Sequence, residues 1–272
     1  MSPARPKAAM DDALAPEAEV QSVDLLARQL IPAPARAGSD AEPRVLELHL
    51  GLKDPVAVFS TQALWPGQAE IADAVGVTRG RISQIVGKAR TLWAKRIPSL
   101  TALRGEIAEL LNGAGGVMTL SELSNAVLAL RGSARMAPER FRTAQAVTRA
   151  ALEVDRGMKS PRWIERRGDG QVFLAQDEDD RGQERADYAL RLGRAADELA
   201  GQDPLPTPSR VMERLQGERS PRDMALLSTA RLLKLAVSAS RHAALSSRLE
   251  IYAGDYPGRV GAYSGWVDSW TA

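Results

Sequence analysis

Cysteine is absent from this chain of 272 residues. That removes disulfides, zinc fingers and thiol chemistry, and it fits a reducing cytoplasm. Histidine is almost absent too: His49 and His242 are the only two, which suggests neither a histidine metal cluster nor a Ser-His-Asp triad. Aromatic residues make up 4% of the chain against 44% hydrophobic overall. The core must therefore be built from Ala, Leu and Val, a composition that favours helix over sheet. No long apolar run exists. The best stretch, Ala225 to Ala239, is broken by Arg231 and Lys234 and does not read as membrane-spanning. The opening MSPARPKAAMDD has no apolar centre, so it does not read as a secretory signal. These absences predict a mainly helical, cytoplasmic protein with no membrane partner.

Catalytic signatures are missing as well. The sequence contains no Gly-rich nucleotide loop, no HRD or DFG kinase signature, no GxSxG elbow and no HExxH. The expectation is a binding protein without cofactor or metal, not an enzyme.

What is there is concentrated in Gln68 to Gly87, QAEIADAVGVTRGRISQIVG. Ile71, Ala72 and Val75 are spaced as the buried stripe of one short helix. Gly76 falls where a tight turn needs a positive φ, which glycine takes without steric cost. Val77 is positioned to plug the turn, and Thr78 is a natural N-cap for the next helix. Ile82, Ile85 and Val86 then turn that helix's apolar side back toward the first. Left pointing outward are Arg79, Gly80, Arg81, Ser83, Gln84 and Lys88; of these Arg79, Arg81, Ser83, Gln84 and Lys88, together with the cap residue Thr78, are candidates for DNA contact. This is the pattern of a helix-turn-helix, whose second helix enters the DNA major groove by its N-terminal half. A helical hairpin packed on a protein partner has the same pattern.

Charge follows the motif. Between Ala74 and Gly105 there are seven basic residues (Arg79, Arg81, Lys88, Arg90, Lys95, Arg96 and Arg104) and no acid, in a chain whose net charge is only +2. Lys and Arg neutralising phosphate supply most of the sequence-independent affinity for nucleic acid. Arg79 and Gln84 are the expected base readers, with Lys88 and Arg90 on the backbone of double-stranded DNA.

The rest of the chain divides by composition. Residues 1–20 are rich in Pro, Ala and charge and read as disordered. Residues 21–60 hold two short amphipathic helices around a Pro-Ala-Gly linker. The helix-turn-helix unit occupies 61–99, bracketed by Trp65 and Trp93 as core anchors. From 100 to 176 the order is helix, helix, helix, hairpin. Thr119 and Glu122 have capping-box spacing, Pro138 opens a helix, and RWIERRGDGQVFLA alternates around a Gly-Asp-Gly turn. That order is the order of a winged helix. Arg162, Arg166 and Arg167 on the hairpin are then candidates for phosphate contact, unless the hairpin only closes the core. DEDDRGQERAD opens an acidic linker and helix over 177–208, read as solvated and not as a cation site. Residues 209–252 read as a helical segment, with a long helix from Asp223 to Leu249 and Leu226, Ala230, Leu233 and Val237 on one face. The tail 253–272, rich in Gly and aromatics, carries no periodicity. The fold class is thus mainly α: a helix-turn-helix, a winged-helix unit with a small β-hairpin, then a C-terminal helical segment.

Two resemblances follow from these residues. EIADAVGVTRGRISQIVGKAR is similar to the helix-turn-helix in the last region of bacterial sigma factors, through Gly76-Val77-Thr78-Arg79, Arg81-Ile82 and Gln84-Ile85. The longer succession VDLLARQLIP, WPGQAEIADAVGVTRGRISQIVGKARTLW, LTALRGEIAELL, GGVMTLSELSNAVLALRGS and RLLKLAVSASRHAALSSRLEIY resembles the region after the kinase domain in PglW-type serine/threonine kinases. These belong to phage-growth-limitation and BREX defence systems. The resemblance implies a defence-associated DNA-binding module that lacks the kinase domain, with other defence proteins as partners. The first resemblance implies RNA polymerase as partner, and a sigma-like or repressor-type regulator instead. A helical adaptor for a separate defence protein is the third reading.

Overall fold

The computed structural model describes residues 21–32, 41–53, 65–222, 224–246 and 249–254. The expectations for residues 1–20, for most of the Pro-Ala-Gly linker and for the tail from 255 onward lie outside them. Local sequence dictates most helix starts. Helix α1 (Val23–Leu30) is capped by Ser22, whose side chain accepts from Leu25 N, and α2 (Ala41–Leu50) buries Val45, Leu46, Leu48 and Leu50. Neither is long enough to persist alone in water, and both pack on the same later helix. Helices α3 (Gln68–Val75) and α4 (Arg79–Arg96) form the expected pair. Helix α5 (Pro98–Gly113) starts on a proline, where a missing N–H costs nothing.

Gly115 and Gly116, at φ +81° and +84°, turn the chain into a short strand β1 (Val117–Thr119). Thr119 and Glu122 then make the reciprocal cap of α6 (Leu120–Arg131). Helix α7 (Glu139–Arg156) is the hub: α1, α2, α4, α5, α6 and the next strand all touch it. Strands β2 (Trp163–Gly168) and β3 (Gln171–Gln176) form the hairpin, closed by Asp169 and Gly170 at φ +50° and +76°. Such a two-residue turn matches the twist of the strands it joins.

The three strands form one antiparallel sheet in the order β1-β3-β2, with Val117 opposite Ala175 and Arg167 opposite Val172. Strand β1 went unforeseen in the sequence, because its partner lies more than fifty residues on. The sheet separates two cores. Val172 and Leu174 face the helical core of α1 to α7, while Phe173 and Ala175, one residue out of phase, face a second core. That phase is the period-two alternation of a strand.

The second core belongs to α8 (Gly182–Ala200), α9 (Pro208–Gln216) and α10 (Thr229–Ala239), with a small antiparallel pair, β4 (Ala243–Leu245) and β5 (Ile251–Ala253). Here the expectation of one helix from Asp223 to Leu249 is corrected. Ser228 caps α10, and Ser240 ends it in an extended conformation. Its buried face is Leu232, Leu233, Leu235, Ala236 and Ala239, whereas Leu226 is 95% exposed and Ala230 is exposed. Arg231 does more than interrupt an apolar run. It donates to Ala114 O at 2.9 Å and Val117 O at 2.6 Å, and pairs with Glu122 at 2.8 Å, fastening α10 to the capped end of α6. The acidic run is ordered too: Asp177 accepts from Gly182 N at 2.8 Å, and Asp179 takes both terminal nitrogens of Arg185 at 2.6 Å. Among the described residues no group of three or more His, Asp or Glu is arranged to hold a metal ion, and no helix is long and apolar enough to cross a membrane.

Candidate nucleic-acid interface

The α3–α4 pair has the geometry its sequence predicts. Glu70 accepts from Gly67 N at 2.6 Å and starts α3. Gly76 ends it at φ +75°, ψ +37°, and both Gly76 N and Val77 N donate to Ala72 O. Thr78 stands extended and its hydroxyl accepts from Arg81 N at 3.2 Å. Ile71, Ile82, Ile85 and Val86 are buried, and Val77 is half-buried against the same core.

On the outer side of α4 the residues fall into two groups. Thr78, Arg79, Arg81, Ser83 and Gln84 are exposed and share its N-terminal half. Arg79 has no hydrogen-bond or ion-pair partner among the described residues. Arg81 reaches only Gln84 Oε1, at 3.4 Å, and Ser83 donates to Gln68 Oε1 of α3 at 2.9 Å. These contacts lie within the motif itself and leave its outer face open. Lys95 and Arg96, at the far end of α4, are also exposed without a described partner.

The second group is engaged by the fold. Lys88 is exposed but pairs with Glu42 of α2 at 3.2 Å. Arg90, expected on the DNA backbone, points its Nη2 at Glu153 of α7, 2.6 Å away. The two hairpin arginines are tied down as well. Arg166 lies 3.2 Å from Asp187 of α8, and Arg167 pairs with Glu165 at 2.8 Å and donates to Trp65 O at 2.9 Å. The tip of the hairpin is itself clamped, because Asp169 takes Arg194 at 2.6 Å and Arg241 at 2.8 Å. Both guanidinium groups stay nearly half exposed, at 43% for Arg166 and 47% for Arg167, so these pairs leave both roles weighed for the hairpin open. Arg162 is bonded within the fold too, donating its backbone N–H to Asp155 and a guanidinium N–H to Arg104 O.

Glu153 is the residue that sequence inspection missed. It is buried at 3% exposure and gathers Arg90, Arg156 at 3.0 Å and His49 Nε2 at 3.3 Å, an ion-pair distance without hydrogen-bond alignment. Burial alone would raise its carboxyl, but contact with His49 and the guanidinium groups of Arg156 and Arg90 hold it well below the usual carboxylate range. Burial, aided by the nearby Arg149 charge, pushes the His49 imidazole down. The signal in the sequence was polar residues inside an apolar helical stripe: Arg149, Glu153 and Asp155 alternate with Ala150, Ala151 and Val154. Such residues are rarely buried unless paired.

No family model and no solved structure matches the chain. A curated protein of Streptomyces coelicolor, named "Probable kinase PglW", is 35% identical over 253 residues, which is 86% of this chain. The chain spans 16% of the length of that relative. Over nearly all its length, this chain is therefore similar to one stretch of a PglW-type protein.

Proposed function

We propose that the chain is a double-stranded DNA-binding module of the PglW type, which lays the N-terminal half of α4 in the major groove. One observation carries the reading. Arg79, Arg81, Ser83 and Gln84 share an exposed half-helix whose polar groups are committed to nothing beyond the motif, while Arg90, Arg166 and Arg167 are spent on carboxylates or carbonyls of the fold. Lys95 and Arg96 extend the positive surface. Arginine and glutamine are the side chains that read guanine and adenine edges by paired hydrogen bonds.

The order α5-β1-α6-α7-β2-β3, with β1 on β3, supports the winged-helix reading of residues 100–176. In this protein that unit serves as a scaffold, since α7 is covered by α1, α2 and α4. The phage-defence setting rests on the resemblance to PglW-type proteins, and so does the view that phosphoryl transfer belongs to other parts of such proteins.

Binding of random-sequence duplexes to the purified chain, measured from low to moderate salt, tests the reading. The slope of log affinity against log salt should be steep, about 0.9 per phosphate neutralised. Sequences selected from a random pool should converge on one short motif. A chain that binds no duplex but captures RNA polymerase or a helical partner protein would shift the reading to a sigma-like regulator or an adaptor.

A further inference from the structure

Behind the recognition helix lies a guanidinium that the fold leaves short of acceptors. Arg149, in the middle of α7, is 5% exposed. Its Nη1 donates to the backbone oxygen of His49, and its carbon lies 4.8 Å above the Trp65 ring. Among the described residues its Nε has no hydrogen-bond partner and no carboxylate stands within ion-pair distance of it. The two acids nearby are already occupied. Glu153 serves Arg90 and Arg156, and Glu165 serves Arg156 and Arg167.

Two deficits coincide at this place. Charge is the first: four guanidinium groups, of Arg90, Arg149, Arg156 and Arg167, face two carboxylates. Burial lowers Arg149 to about 9, the behaviour of a cation short of counter-charge. Hydrogen bonding is the second. Among the described residues, besides Arg149 Nε, the buried Trp65 Nε1 and Arg90 Nε have no acceptor, and His49 Nδ1 has no partner. The large majority of buried polar side-chain atoms in folded proteins are paired. A tetrahedral dianion would answer both, since it brings two negative charges and several acceptor oxygens.

We propose that Arg149, Trp65 and His49 form a binding site for a phosphate group, separate from the outer face of α4. The site holds the anion by charge and by N–H donation, and no bond is made or broken there. It does not depend on the DNA-binding reading.

The test uses the full chain. Thermal unfolding is followed during titration with inorganic phosphate against sodium chloride of equal ionic strength, with adenosine 5′-monophosphate as a second probe. The wild type should show a saturable rise in Tm of about 5–10 °C at a hundredfold excess over Kd. Phosphate also stabilises proteins generally by exclusion from their surface, but that effect does not saturate and does not depend on one arginine. Arg149→Met should abolish the saturable part, and it should fold, because an apolar replacement of an unpaired buried ion is commonly tolerated. Trp65→Phe keeps the ring and removes the donor, and should weaken phosphate binding several-fold. A nucleotide that binds tighter than phosphate would name a nucleotide as the source, and equal affinity would name the free ion. No saturable response in the wild type, or an unchanged response in both variants, overturns the proposal.

Discussion

Arg90 Nη2 and Glu153 Oε2 lie 2.6 Å apart, so helix α4 is held from behind by a carboxylate in the last turn of α7. Arg90, expected on the DNA backbone, thus ties α4 to α7. Orientation matters because a half-helix reads base edges only if its side chains arrive together in the groove.

Glu153→Gln should therefore cost about 3–5 kcal/mol of folding stability, the usual penalty for removing one partner of a buried pair. Its pH dependence has a definite sign. The folded-state value is depressed, so the stabilisation is complete above the unfolded value and is lost as pH falls through the folded one. Below about pH 4.5, the ordinary glutamate range, wild-type stability should drop steadily with acid, and the Gln variant should show a shallower acid limb. His49, also lowered, adds a loss that starts near its unfolded value of about 6.5, because the unfolded chain takes up that proton first. Denaturant unfolding at a series of pH values measures both. An identical acid limb in the two proteins would count against the role given to Glu153.

Arg79 and Arg167 should respond in opposite ways. Arg79→Ala removes an exposed side chain with no described partner. Folding should change by less than about 0.5 kcal/mol, while DNA affinity falls by about 1–3 kcal/mol and sequence preference relaxes. Arg167→Ala breaks contacts to Glu165 and Trp65 O. Because that arginine is partly solvated, about 1 kcal/mol of stability should be lost, with the salt slope of DNA binding unchanged. Anisotropy titrations and melts on the same two variants separate the cases. A flattened salt slope in Arg167→Ala would place the hairpin in the interface.

Gly193 is fixed by close approach of α8 to α10. A methyl group placed there would stand 2.4 Å from the Ala239 oxygen, and backbone cannot move aside as the end of a side chain can. Gly193→Ala should cost about 1–3 kcal/mol, despite alanine's higher helix propensity. A thermal melt decides it: equal or higher Tm would mean that the two helices can separate without penalty.

Incubation of the chain with labelled ATP and magnesium should give no autophosphorylation. Phosphoryl transfer needs a Gly-rich cover, a lysine on the phosphates, a catalytic aspartate and a metal-holding aspartate. Asp177 and Asp179, the acids nearest to a cluster, are bonded to Gly182 N and Arg185. Transfer of label to the chain alone would overturn the non-enzyme reading.

The parts of the fold legible in the sequence are those decided within about twenty residues. Gly76 had to take positive φ, Thr78 had to cap, and Ile82, Ile85 and Val86 could only turn inward, as they do. The hairpin was legible for the same reason, through alternation around a Gly-Asp-Gly turn. What escaped was set by contacts distant in the chain. Strand β1 is three residues long and exists because β3 passes beside it. Helix α10 stops at Ser240 where the chain turns into β4, and of the stripe drawn through Leu226, Ala230, Leu233 and Val237 only Leu233 and Val237 pack on the core. The candidate site divided along the same line. Arg79, Arg81, Ser83 and Gln84 point outward as expected, while Arg90, Arg166 and Arg167 found acids that lie 63, 21 and 2 residues away.

Strand β3 acts as a party wall. Its even-numbered side chains line one room and its odd-numbered ones the other, so neither room can be emptied without baring half of a wall. A chain cut after residue 176 would leave Phe173 and Ala175 facing water on one side of an otherwise intact sheet, an apolar surface prone to self-association. Denaturant should for the same reason take down both cores in one transition, and a substitution such as Phe173→Ala should loosen α4, although it lies on the far side of the sheet. Helix α4 thus draws its rigidity from the whole described structure and not from its pairing with α3 alone.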